Sequence, residues 1–101
     1  MNNKENINTI LTSIYSIVEE NIECEYQLFL FGSRASGTNS EKADIDVGII
    51  PEQSLSSKQI QTIKGRIEEI PTLLKIDFVD FTTVNDDFKS VALKETKEIK
   101  I

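Results

Sequence analysis

Leu28-Phe29-Leu30-Phe31-Gly32-Ser33-Arg34-Ala35-Ser36-Gly37-Thr38-Asn39-Ser40-Glu41-Lys42-Ala43-Asp44-Ile45-Asp46-Val47-Gly48-Ile49-Ile50 is the stretch on which the reading of this chain turns. Four consecutive large apolar residues fit a strand covered on both faces, and Gly32 lets the backbone turn sharply without a Cβ to crowd a ligand. Ser33 is then presented at the strand end. A short helix through Arg34, Ala35 and Ser36 would aim its first N–H groups and the Ser33 hydroxyl outward together, an arrangement suited to phosphate oxygens. Gly37 supplies the next turn.

A second strand opens on two aspartates. Asp44 and Asp46 are two apart, so on a strand running from Asp44 to Ile50 they share a face about 6.5–7 Å from each other, and Ile45, Val47 and Ile49 take the opposite face. Two fixed carboxylates repel unless a cation lies between them, and hard oxygen donors suit Mg2+ or Mn2+. A paired-metal phosphoryl or nucleotidyl transfer site is the natural reading, and such sites usually need a third carboxylate. Leu74-Lys75-Ile76-Asp77-Phe78-Val79-Asp80-Phe81 supplies it: alternation puts Leu74, Ile76 and Phe78 on one face and Asp77 on the other with Val79 and Phe81. An acid among such neighbours is costly unless paired or metal-bound, which makes Asp77 a better candidate than Asp80, whose place near the strand end allows plain solvation.

Taken singly, each element has an ordinary structural explanation: a Gly-Ser corner is common turn chemistry, and acids often sit at exposed strand ends. In this order and spacing they resemble something specific. Gly32-Ser33, ten intervening residues, Asp44-Ile45-Asp46 and the later Asp77 are similar to the motif of the minimal nucleotidyltransferase (MNT) family in the DNA polymerase β-like superfamily, and the similarity spans nearly the whole chain. Ala43 departs from it, since family members often carry Ser before the Asp-x-Asp; the change trims loop hydrogen bonding but touches no metal ligand. The resemblance implies a polymerase β-like fold of the α/β (α+β) class, a small mixed sheet with helices packed on one side. It also implies a role in HEPN/MNT toxin–antitoxin systems, in which some members silence a HEPN-domain ribonuclease by transferring AMP from ATP to one of its tyrosines.

On this reading Asp44, Asp46 and Asp77 are catalytic and hold two Mg2+ ions, with Mn2+ as an alternative, and Asp77 helps take the proton of the attacking hydroxyl. Gly32 and Ser33 bind the β- and γ-phosphates, with Arg34 as a further nucleotide contact. Small relatives that modify antibiotics or polymerise need a second domain to hold the acceptor, so a partner protein bringing its own tyrosine is the first expectation here. Masking of the toxin without chemistry, with the nucleotide site vestigial or regulatory, is the alternative. Transfer to RNA is a third.

Composition narrows the choices. The 101 residues are expected to form one domain spanning residues 1–101. The absence of histidine removes a His general base, a His-ligated metal and a Ser-His-Asp triad together, so carboxylates must carry any acid–base work. Cys24 is the single cysteine, which excludes an intrachain disulfide and a cysteine-based zinc site. With 17 acids against 11 bases, a broad nucleic-acid footprint is unfavoured and a protein or small-nucleotide partner fits better. No window is apolar enough to cross a membrane and no cationic segment leads into an apolar one, so no membrane partner and a cytoplasmic location are expected.

The remaining segments supply the scaffold. Residues 3–22 have helical spacing of Ile7, Ile10, Leu11, Ile14, Ile17 and Val18, with Asn2 and Glu5 as cap and return partner. Glu19, Glu20, Glu23 and Glu25 read as a solvated helix exit. A strand spans Tyr26–Phe31. In the polar loop Thr38–Lys42, Lys42 has the reach for a phosphate, although an exposed lysine is the plainer reading. A crossover helix covers residues 54–70 with a Ser56/Gln59 capping box, a strand covers Leu73–Phe81, and Asn85 caps a short helix carrying Phe88, Val91 and Ala92. The tail from Lys97 to Ile101 alternates like a short edge strand.

Overall fold

Asn6 starts the first helix: its side chain accepts from the amides of Asn8 and Thr9, satisfying donors the helix cannot. The computed structural model describes residues 6–37 and 43–99, so the cap expected from Asn2 and Glu5 lies outside the described residues, as do Lys42 and Ile101. Helix α1 runs Ile7–Asn21 and buries Ile10, Ile14, Ile17 and Val18, the stripe that its 3.6-residue period defines.

Strand β1, Tyr26–Phe31, pairs antiparallel with β2, Ile45–Pro51. Its side chains alternate across the sheet: Leu28 and Leu30 join one buried cluster, Phe29 and Phe31 another. The β2 ladder begins at Ile45, one residue later than expected, leaving Asp44 just ahead of it. Pro51 is the last residue of β2 and lies opposite Tyr26, where a strand end tolerates the missing donor.

Helix α3, Ser57–Glu68, is set by the predicted capping box, with Ser56 accepting from the Gln59 amide at 3.1 Å and Gln59 accepting from the Ser56 amide at 2.9 Å. It carries the chain across to β3, Ile76–Asp80, which runs parallel to β2. This strand is shorter than the expected Leu73–Phe81 because the preceding residues turn instead: Thr72 Oγ1 accepts from the Leu74 amide at 3.0 Å, and Leu73 stands fully exposed. Helix α4, Asp86–Ala92, starts on its Asn85 cap, and β4, Lys97–Glu98, adds to the far side of β1.

The sheet order is β3-β2-β1-β4. Helices α1 and α3 cover one face, where Ile14, Val18, Ile45, Val47, Ile49 and Ile63 are almost fully buried. Burying such side chains contributes about 1.5–3 kcal/mol each. The other face is aromatic at one end and acidic at the other. Phe81 meets Phe29 and Phe31 edge to face there, and Phe88 from α4 packs edge-on against Phe31 and tilted against Phe81. Gly48 lies beneath them, where a Cβ would come within 2.6 Å of the Phe29 and Phe81 rings.

Candidate active site

The acids are gathered by strand register. Asp46 lies opposite Phe31 on one side and beside Asp77 on the other, so the third carboxylate, distant in sequence, is delivered to the second by parallel pairing of β2 and β3. Residue 32 follows Phe31, so Gly32 stands one residue beyond this transverse row. With φ +74° and ψ −154°, Gly32 adopts a backbone that favours glycine, and a Cβ there would stand 2.5 Å from Asp46 Oδ2. Glycine is needed on both counts.

Beyond it the chain makes one helical turn, α2, Ser33–Ser36, with Gly32 O accepting from Ala35 and Ser36 and Ser33 O accepting from Gly37. Ala35 is buried against the helical face of the sheet and anchors the turn, while Gly37 closes it in the left-handed region at φ +81°. Ser33 is half-buried, and its N–H belongs to the first turn of α2, where helices leave donors for ligands.

Electrostatically the row is strained. Partial burial raises the pKa of Asp46, the charges of Asp77 and Asp44 raise it further, and so does a side-chain hydrogen bond with Asp77; Lys75 opposes them. Asp44 is exposed just ahead of β2. Among the described residues no three acid side chains already stand as a closed ligand set. The donors nonetheless fit a hard divalent cation: all are carboxylate oxygens, and the crowding of Asp46 and Asp77 is what such an ion relieves.

Two contributors were not foreseen. Lys75 Nζ is 3.8 Å from Asp77 Oδ1, a mostly solvated pairing whose period-two spacing was visible in sequence. Gly48 makes room for the aromatic cluster, and nothing local in a strand pattern announces that. Two other residues make contacts within the chain. Arg34, expected at the nucleotide, donates to the carbonyl of Ala43. Asp80 accepts from the Thr82 amide and hydroxyl at 2.9 and 2.7 Å, so it builds the turn after β3. A groove of about 440 Å3 beside the edge of β3 is lined by Ile70, Leu74, Ile76 and Phe78 and includes Lys75 and Asp77 in its wall.

Gly32→Ala tests this geometry. The strained backbone alone costs about 1–2 kcal/mol, so the melting temperature is expected to fall by roughly 5–10 °C, read by thermal unfolding. The displaced Asp46 carboxylate should also raise the Mn2+ concentration needed to stabilise the variant.

The family described as Polymerase beta, Nucleotidyltransferase matches residues 5–101. A Haemophilus influenzae protein described as a probable protein adenylyltransferase, MntA, is 26% identical over 82 residues, covering 81% of this chain and 72% of the relative. Among solved structures, a chain from the complex of a tri-AMPylated Shewanella oneidensis HEPN toxin with MNT antitoxin superposes with a TM-score of 0.69 at 16% identity, covering 91% of this chain and 70% of that one. A chain from a toxin–antitoxin structure with AMP-PNP gives a TM-score of 0.65 at 19% identity, covering 89% and 72%.

Proposed function

Because the chain belongs to the polymerase β nucleotidyltransferase family, we propose that it transfers AMP from ATP to a tyrosine of a HEPN-type ribonuclease and so acts as that toxin's antitoxin. The observation that carries this reading is the pairing of Asp46 with Asp77 across β2 and β3, with the Gly32 backbone packed directly against the Asp46 carboxylate. The Haemophilus influenzae relative and the fold shared with chains of HEPN–MNT and AMP-PNP complexes support it.

Gly32 and Ser33 receive the β- and γ-phosphates. Asp44, Asp46 and Asp77 would hold two Mg2+ ions, which neutralise the triphosphate and lower the pKa of the attacking hydroxyl. Asp77 accepts the tyrosine proton, a task that falls to a carboxylate in a chain without histidine. The tyrosine oxygen bonds to the α-phosphorus as the bond to the bridging oxygen breaks, and pyrophosphate leaves in line. Catalysis is mostly positioning and charge neutralisation.

Masking without chemistry is the competing reading, and the exposed Phe88 and Val91 of α4 offer it an apolar surface. Intact-protein mass spectrometry of the HEPN partner, co-expressed with this chain or with its Asp44→Asn, Asp46→Asn variant, separates the two. Increments of AMP found only with the unmutated chain are expected. A stable complex without increments would sink the transferase reading and favour masking.

A further inference from the structure

Arg34 follows Ser33 on α2, yet its guanidinium reaches nine positions along the chain to the carbonyl of Ala43, donating from Nε at 3.2 Å and Nη2 at 2.8 Å. Half-buried Ala43 precedes the β2 ladder, so strand pairing does not account for its carbonyl. The next fixed point is the Ile45 amide, which donates to Lys75 O at 2.8 Å, just before β3. Asp44 is the one residue between these ties. Its backbone is therefore held on one side by α2, which carries the phosphate corner, and on the other by the segment that carries Asp77.

Ordering a residue's backbone costs conformational entropy, and here two bonds from outside the segment restrain Asp44 before any ligand arrives. Arginine suits the task because neighbouring N–H groups of a planar fork converge on a single oxygen, which a lysine ammonium on a flexible stem does less well. We propose that Arg34 is a positioning residue: together with the Ile45–Lys75 bond it fixes the backbone on both sides of Asp44 and so orients the first acid of Asp44-Ile45-Asp46. The inference rests on Asp44 serving as a metal ligand, as proposed above.

The test compares the full-length protein with R34Q and R34K in hydrogen exchange, Mn2+ calorimetry and transfer kinetics. In R34Q the Ile45 amide should exchange at least about tenfold faster while the Ile14 and Leu30 amides stay unchanged, which shows local release in a folded protein. Mn2+ affinity and kcat should each fall about 10–100-fold, with KM for ATP moving less than about threefold, and R34K should recover part of the loss. A tenfold rise in KM at unchanged kcat, or an Ile45 amide and Mn2+ affinity indifferent to R34Q, would overturn the proposal. If the unmutated chain binds no Mn2+, the metal role of Asp44 fails, whereas exchange at Ile45 still decides whether Arg34 holds the segment.

Discussion

Asp46→Asn is expected to lower AMP transfer by at least about a thousandfold and yet to give a nucleotide-free protein that melts higher than the unmutated one. The loss follows from position: Asp46 is the acid that neighbours both Gly32 and Asp77, and as the metal ligand proposed above its removal would forfeit several kcal/mol of charge stabilisation at the transition state. The gain follows from the same crowding. Partial burial and two neighbouring carboxylates raise the pKa of Asp46, so in folded, metal-free protein its ionised form is disfavoured. An amide keeps the shape and removes the repulsion; at a partly solvated site this is worth roughly half a kcal/mol, or about 2–4 °C at this chain length.

The pH dependence has a definite sign. A carboxyl whose folded pKa lies above its unfolded value of about 3.9 favours the fold below that value and loses this contribution as pH rises through the raised one. The variant's advantage, measured in EDTA, should therefore vanish in acid and be complete near neutrality. Added Mg2+ should reverse the ranking, because only the unmutated site gains from the ion. An advantage that persisted unchanged in acid would contradict this account.

Gly48→Ala is expected to cost about 2–3 kcal/mol, lowering the melting temperature by roughly 10–20 °C. Backbone conformation is not the reason, since Gly48 does not lie at positive φ. Its Cβ would overlap Phe29 and Phe81 at 2.6 Å; Phe29 cannot yield without disturbing Phe31 and Phe81, nor Phe81 without disturbing Phe29, Phe31 and Phe88, against which it packs. Because Phe31 leads directly into Gly32, transfer should also fall in assays kept below the new melting point. Near-ultraviolet circular dichroism with parallel activity measurements checks both effects.

The limits of β1 were legible because four large apolar residues run straight into Gly32, and the start of α3 because Ser56 and Gln59 spell a reciprocal cap. The candidate acids were legible from spacing, since period two separates Asp77 from Phe78 as surely as it separates Asp46 from Val47. Contacts that depend on how distant segments meet were hidden. Nothing beside Gly48 in sequence names Phe81, and nothing beside Arg34 shows that a carbonyl nine residues on would take its guanidinium. Helix α4 was foreseen from its Asn85 cap, but that its Phe88 would settle onto the second face of the sheet depends on tertiary packing.

Asp77 rides on β3, a margin of the sheet with one neighbouring strand, while Asp46 belongs to an interior strand with two. Margins fray at lower free energy than interiors. Warming should thus draw Asp77 away from Asp46 while the β1–β2 hairpin remains intact, and catalytic competence should fade ahead of the global unfolding transition. With Asp77 in the role proposed above, turnover would gauge the docking of one peripheral strand, and any partner that clasps that strand would extend the temperature range over which the chemistry survives.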